Sequence, residues 1–254
     1  MSFDPTPRLD GKVAVITGGL GAIGYATAQR LAALGATCVL LHRGADDAAE
    51  RAAALPAAAG QRHAALRADI TDTPSLQKAA ADVKERLGRC DILVNSAGHT
   101  QPVPAADLDG LTDELIDDLM RANFRGVFAT IRAFAPLLKA TGDGLVVNIS
   151  SIAGFTGVGS NLAYVAAKAG LDVVGDALAK ALAPAVRVVS VSPGAVESGF
   201  VPGRGDDFKA KMATTTPLGR IGKPEDVAAT VEALATTLRF VTGTRIVVDG
   251  GRHL

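Results

Sequence analysis

Between Lys12 and Gly35 the chain passes from a strand pattern to a helix pattern through a run of glycines. Lys12-Val-Ala-Val-Ile-Thr17 is a short apolar run rich in β-branched residues, which predicts a buried strand. It leads directly into Gly18-Gly19-Leu20-Gly21-Ala22-Ile23-Gly24, and Tyr25 to Leu34 has the Ala/Leu/Gln/Arg composition of a helix, stopped by Gly35. A strand, a glycine turn and a helix in that order aim backbone N–H groups and a helix N-terminus at a phosphate. Glycines suit the turn because it demands unusual φ angles and because a pyrophosphate must approach the backbone closely.

The same unit recurs along the chain. Strands are expected at Thr37–Leu41, His63–Ala68, from Asp91, at Gly144–Ser150, Val186–Ser192 and Thr244–Val248. Helices are expected at Ala45–Ala59, at Thr73–Leu87 with Pro74 at its start, over Asn161–Ala183 and over Pro224–Thr236. A long helix is expected from about Thr112 to Lys139, interrupted or bent near Pro136. Such alternation predicts an α/β fold: a Rossmann-type doubly wound parallel β-sheet with helices on both faces. With 254 residues, 48% of them hydrophobic, and no linker, one domain spanning 1–254 is expected.

Chemistry concentrates in Val147-Asn148-Ile149-Ser150-Ser151 and Tyr164-Val165-Ala166-Ala167-Lys168. Tyr164 and Lys168 are spaced i, i+4, so a helix places them on one face. A tyrosine hydroxyl, with an unperturbed pKa of about 10, is a poor acid-base at neutral pH, and a nearby ammonium favours its phenolate. A serine hydroxyl from another element would hold a substrate oxygen against it. The alternative for the pair alone is a core tyrosine beside a snorkelling lysine. Asp91-Ile-Leu-Val-Asn95-Ser96-Ala97-Gly98 adds a strand ending in small polar residues, where ligands sit in doubly wound sheets.

Together these residues resemble the short-chain dehydrogenase/reductase family, of the 3-oxoacyl-carrier-protein reductase type, over nearly the whole chain. The family's glycine turn matches Thr17 to Gly24, with Ala22 for the middle glycine, and its Asn-Asn-Ala-Gly element matches Asn95 to Gly98 with Ser96 as the variant. Pro193-Gly194-Ala-Val196-Glu-Ser198, Pro217 to Val227 and Val241 to Gly251 follow the family pattern, with Ser198 where threonine is usual and Val189 where asparagine is frequent. The resemblance implies a hydride transfer between a nicotinamide cofactor and a carbonyl or secondary alcohol. It implies Ser151, not Ser150, as the residue holding the substrate oxygen and Tyr164 as acid-base. Lys168 is implied to support Tyr164 and grip the nicotinamide ribose, and Asn123 to anchor a proton-relay water. The cofactor is expected at Gly18, Leu20, Ile23, Gly24, Arg43, Asp69, Ile70, Asn95, Ala97, Gly98, Tyr164, Lys168, Pro193, Gly194, Val196 and Ser198. A substrate-covering loop is implied over about 199–216, with Gly199, Gly203 and Gly205 as hinges. His99 either lines the pocket or is exposed in its loop, and stays outside the expected catalytic set.

Cofactor preference is read at Leu40-Leu41-His42-Arg43-Gly44. An acid here would accept hydrogen bonds from the ribose of NAD; this chain has His42 and then Arg43, whose fork suits a phosphate. NADP is therefore expected, with NAD as the alternative. Asp46 and Asp47 look like a helix start.

Composition narrows the partners. The 26 basic and 26 acidic residues balance, so no field draws nucleic acid or an anionic membrane. Two lone cysteines, Cys38 and Cys90, indicate neither a disulfide framework nor a zinc site, and no metal is expected. The polar start Met1-Ser-Phe-Asp-Pro-Thr-Pro-Arg is unlike a signal peptide, so a soluble cytoplasmic protein is expected. Family resemblance and the small residues of the Asn161–Ala183 helix (Ala163, Ala167, Gly170, Val174, Ala177, Ala181) point to a homotetramer, with a homodimer as the alternative. A cofactor-sensing binding protein and a scaffold subunit are the other function classes; the intact Ser151, Tyr164 and Lys168 speak against the first, the nucleotide-binding features against the second.

Overall fold

The computed structural model describes residues 8–57, 60–203 and 205–254. Seven strands, β1 (Val13–Thr17), β2 (Thr37–His42), β3 (Ala64–Arg67), β4 (Ile92–Asn95), β5 (Gly144–Ile149), β6 (Val186–Pro193) and β7 (Thr244–Val248), form one sheet in the order β3-β2-β1-β4-β5-β6-β7. Every pair is parallel. The order reverses between β1 and β4, and a crevice opens there at the carboxyl ends of the strands.

Helices cover both faces. On one, α1 (Ala22–Ala33) and α9 (Pro224–Thr236) pack on Ala14, Ile16, Leu40, Val94, Val147 and Val191. On the other, α3 (Thr73–Leu87), α5 (Val127–Ala140) and α7 (Leu162–Leu182) pack on the register row Val39, Val15, Leu93, Val146 and Val188. These strands read as continuous apolar runs because they are buried on both faces. Two residues further along, the same face presents Leu41, Thr17, Asn95, Asn148, Ser190 and Arg245 in register. The core thus turns polar where the strands end, and that edge underlies the crevice.

Local sequence sets the helix boundaries. Pro74 opens α3 and Gly88, at φ 72°, closes it in the left-handed conformation. The Asn161 side chain accepts the Tyr164 N–H at 2.7 Å and so caps α7. Two expectations are corrected. The Ala45–Ala59 helix shortens to α2 (Ala48–Ala53), with Pro56 just beyond its end; Ala58 and Ala59 lie outside the described residues. The long Thr112–Lys139 helix is not interrupted at Pro136, which lies inside α5. It divides instead into α4 (Asp113–Met120), a π-helical turn over Arg121–Gly126, and α5. The π turn coincides with a close approach: a Cβ on Gly126 would lie 2.8 Å from the Ile70 carbonyl oxygen. Among the described residues no helix is long and apolar enough to cross a membrane.

Candidate active site

A cleft of about 860 Å³ lies over the carboxyl ends of the strands. Its floor begins at the glycine turn. Gly18 has φ +61°, and a Cβ there would come within 2.9 Å of the Ala97 backbone; on Gly24 it would lie 2.3 Å from the Gly18 carbonyl oxygen. Side chains are thus excluded where a cofactor's pyrophosphate would rest. The first turn of α1 carries no acidic residue and its N-cap, Gly21, makes no side-chain bond, so its N–H groups stay available to an anion. Gly18, Leu20 and Ile23 line the cleft, whereas Gly24 sits behind the turn and permits its close packing. Arg51 of α2 fastens the turn by donating to the Leu20 carbonyl at 2.9 Å.

Beyond β2 the wall is formed by His42 and Arg43, and beyond β3 by Asp69 and Ile70. The His42 Nδ1 is buried without a hydrogen-bond partner. Burial pushes the Asp69 carboxyl up, but the Thr71 N–H and hydroxyl and the Arg43 charge outweigh it, leaving Asp69 below the usual carboxylate value. Arg67 donates to the Arg43 carbonyl at 2.9 Å, fixing the backbone of the loop that carries the arginine.

Opposite, Ala97 and Gly98 line the cleft while Asn95 does not; its Nδ2 donates to Asn148 Oδ1 at 2.9 Å beneath the surface. Thr17 accepts the N–H groups of both Ser96 and Ala97 at 3.1 Å and holds this loop against β1. Asn123, on the π turn, is fully buried. It donates to the Leu119 carbonyl at 3.0 Å and the His99 carbonyl at 2.9 Å, and its Oδ1 has no partner. A Cβ on Gly98 would lie 2.5 Å from that oxygen, so Asn123 stands directly behind the wall. His99 does line the cleft, with its ring held by Asp118 at 2.6 Å.

Ser151, Tyr164 and Lys168 meet in the cleft. The Ser151 Oγ accepts the Ala153 N–H at 3.1 Å, at the start of α6 (Ala153–Thr156), which leaves its own proton to donate. Ser150, by contrast, is buried and turned to the Lys168 carbonyl. The Lys168 Nζ donates to the Ile149 carbonyl at 2.8 Å and stands 5.6 Å from the centre of the Tyr164 ring. Burial pushes the Lys168 ammonium from the ordinary 10.5 down to about 8, against the opposing field of Asp172. Pro193, Gly194, Val196 and Ser198 continue the wall beyond β6. Over them lie Phe200, Val201 and, from α8 (Asp206–Thr214), Phe208 and Met212; Phe200 sits 5.9 Å from the Tyr164 ring centre. The expected 199–216 loop thus contains a helix, α8, and residue 204 lies outside the described residues.

Fifteen of the eighteen expected site residues line the cleft, and the three that do not, Gly24, Asn95 and Asn123, each support a residue that does. Thr17, Asn148 and Asn161 are further supports, outside the expected set. A polar residue inside an apolar strand, as Asn148 is, was the available signal.

A family model described as enoyl-(acyl carrier protein) reductase matches residues 19–253. The chain belongs to the short-chain dehydrogenase/reductase family. It is 39% identical, over 98% of its length and 99% of the relative's, to a protein named as ketoacyl reductase 2 of the granaticin polyketide synthase in Streptomyces violaceoruber. It is 35% identical to cis-4-hydroxycyclohexanecarboxylate dehydrogenase of Sinomonas cyclohexanicum, over 94% and 96% of the two chains. A short-chain type dehydrogenase/reductase from Mycobacterium ulcerans superposes with a TM-score of 0.90 at 28% identity, over 97% and 91% of the chains. The chain is accordingly a nicotinamide-dependent oxidoreductase of this family.

Proposed function

We propose that this enzyme reduces a ketone to a secondary alcohol with NADPH, using Tyr164 as the acid. The observation that carries the reading is the meeting of a free Ser151 proton donor, Tyr164 and the Lys168 ammonium in one cleft with the glycine turn. The cradle fits a dinucleotide, because Gly18 and Gly24 clear the backbone and the α1 N-terminus faces the cleft uncapped. The bound nicotinamide supplies hydride, which no side chain can do. Ser151 donates to the substrate oxygen and orients the carbonyl. Tyr164 gives its proton to that oxygen, and Lys168 stabilises the phenolate left behind. Asn123, held behind Gly98 with an unpartnered oxygen, anchors the water that returns a proton. Arg43 would take the 2′-phosphate of NADPH, in the position where NAD-preferring relatives would carry an acid.

The segment 199–216 serves as the substrate cover in this reading, supported by the apolar Phe200, Val201, Phe208 and Met212 turned to the cleft. The names of the relatives suggest a ring ketone or a 3-oxoacyl chain as substrate. A homotetramer working in the cytoplasm completes the proposal, on the strength of the exposed apolar surfaces and the absence of a membrane-spanning helix among the described residues.

The decisive experiment follows NADPH and NADH absorbance with a panel that includes 4-oxocyclohexanecarboxylate and a 3-oxoacyl thioester. Faster turnover of a ketone with NADPH is expected. Cofactor binding without turnover across the panel would favour a sensor, and absence of binding a scaffold.

A further inference from the structure

Lys168 and Asp172 lie one turn apart on α7, and both are removed from solvent, at 4% and 2% exposure. The lysine has the Ile149 carbonyl as a partner. The aspartate has none: neither carboxylate oxygen makes a hydrogen bond, and both are inaccessible. A buried carboxylate without hydrogen bonds is strongly unfavourable unless a charge compensates it. One cation reaches it from the sheet. Arg245 of β7 holds its Nη1 3.7 Å from Asp172 Oδ2, with its guanidinium 5.1 Å above the Phe155 ring. Arg245 also stands in register with Ser190, at the end of the polar row that runs under α7. The carboxylate is therefore placed between Arg245 on one side and the turn that carries Lys168 on the other.

We propose that Asp172 is a positioning residue of the proton-transfer site, a buried counter-charge that is clamped by Arg245 and keeps Lys168 an ammonium beside Tyr164. It rests on the reading of Tyr164 and Lys168 given above. The surroundings leave this role to Asp172. On α7 the other ionisable residues are Tyr164 and Lys168 themselves, Asp176, which is half-buried and two turns beyond Lys168, and Lys180, which is exposed; β7 contributes Arg245. Helix α6 has no ionisable side chain, and β6 meets α7 at Gly175 with Val188 and Ser190. The π turn meets Gly170 with the Phe124 ring and sends Arg125 to the Thr71 carbonyl; α4 sends Asp118 to His99. Among the described residues, Asp172 is the charge whose field opposes the desolvation of Lys168.

The test uses the full-length protein with lysines labelled at 13Cε. The Lys168 resonance is assigned by its loss in Lys168→Arg and titrated without substrate. It should titrate near 8 in the wild type and at least about one unit lower in Asp172→Asn, a tenfold fall in the ammonium-to-amine ratio. In ketone reduction, the basic limb of the kcat profile should move to lower pH by the same amount, with the cofactor KM at pH 6 unchanged. Asp172→Glu should restore most of the shift. If Asp172→Asn fails to fold because Arg245 is left unpaired, Asp172→Asn combined with Arg245→Gln removes both charges and is read in the same way. A folded variant whose Lys168 titrates as in the wild type overturns the proposal. A wild type that reduces no ketone, while its Lys168 titration responds to Asp172, would sink the functional reading and support the counter-charge.

Discussion

At the scale of single residues, the site concentrates its chemistry in a few atoms whose removal is separable from cofactor binding. Tyr164→Phe deletes one hydroxyl from a buried ring and should leave NADPH affinity intact while lowering kcat by about 10²–10⁴-fold. Near wild-type kcat at saturating ketone would remove Tyr164 from its role. Arg43→Asp should weaken NADPH binding and turn preference toward NADH, since a phosphate partner is exchanged for a repulsive charge; a wild type already faster with NADH would contradict this. Lys168 also links activity to stability. Its folded value near 8 lies below the ordinary 10.5, so between those values the unfolded chain holds a proton that the folded chain has released. Stability contributed at this residue therefore rises with pH across that window, and below it the buried ammonium imposes a penalty of roughly 3 kcal/mol. The burial of Cys38, which pushes its thiol up to about 12, acts in the opposite sense above pH 9, so the wild type must be compared with Lys168→Met. Urea unfolding at pH 8 and pH 10 should show the wild type gaining on the variant. Parallel behaviour of the two would refute the assignment.

At the scale of elements, the β1–α1 turn is the least forgiving junction. Gly24→Ala would drive a methyl to 2.3 Å from the Gly18 carbonyl oxygen, a backbone atom that cannot swing aside. The turn must open, and NADPH binding followed by fluorescence should fall at least about tenfold even where the protein stays folded; unchanged binding would show that the turn is not the cradle. Junctions of this kind were legible in the sequence because glycine, proline and β-branched runs act locally. That is why α3 and α9 begin and end at the residues expected of them. The π turn was not legible. Arg121 to Gly126 has ordinary helix composition, and its irregularity accompanies the approach of Gly126 to Ile70, a contact between distant parts of the chain. The proline that looked like the break, Pro136, is carried inside α5. Likewise Ser151 was expected through the family resemblance, while nothing in the sequence marks Asp172, whose distinction is its burial against Arg245.

At the scale of the whole molecule, the surface left uncovered by the fold argues for assembly. The small residues of α7 divide: Ala163 and Ala167 are buried within the chain and Gly170 meets Phe124, whereas Ala177 and Ala181 face solvent. On the same stripe Val173, one turn before Ala177, is 66% exposed, and Phe128 of α5 is also exposed. A second surface lies at the sheet edge, where β7 has no neighbour beyond it among the described residues and Phe240 is fully exposed at its approach. An open edge strand invites pairing with another copy. Were each surface to pair with its own copy, two separate two-fold contacts would result, and both together would build the proposed tetramer. Light scattering at micromolar concentration should therefore report about four times 25.8 kDa. Val173→Asp should block the helical contact and leave dimers joined at the sheet edge, with the fold retained by circular dichroism. A homodimer in the wild type would mean that only one surface is used, and a stable, active monomer would sink the assembly altogether.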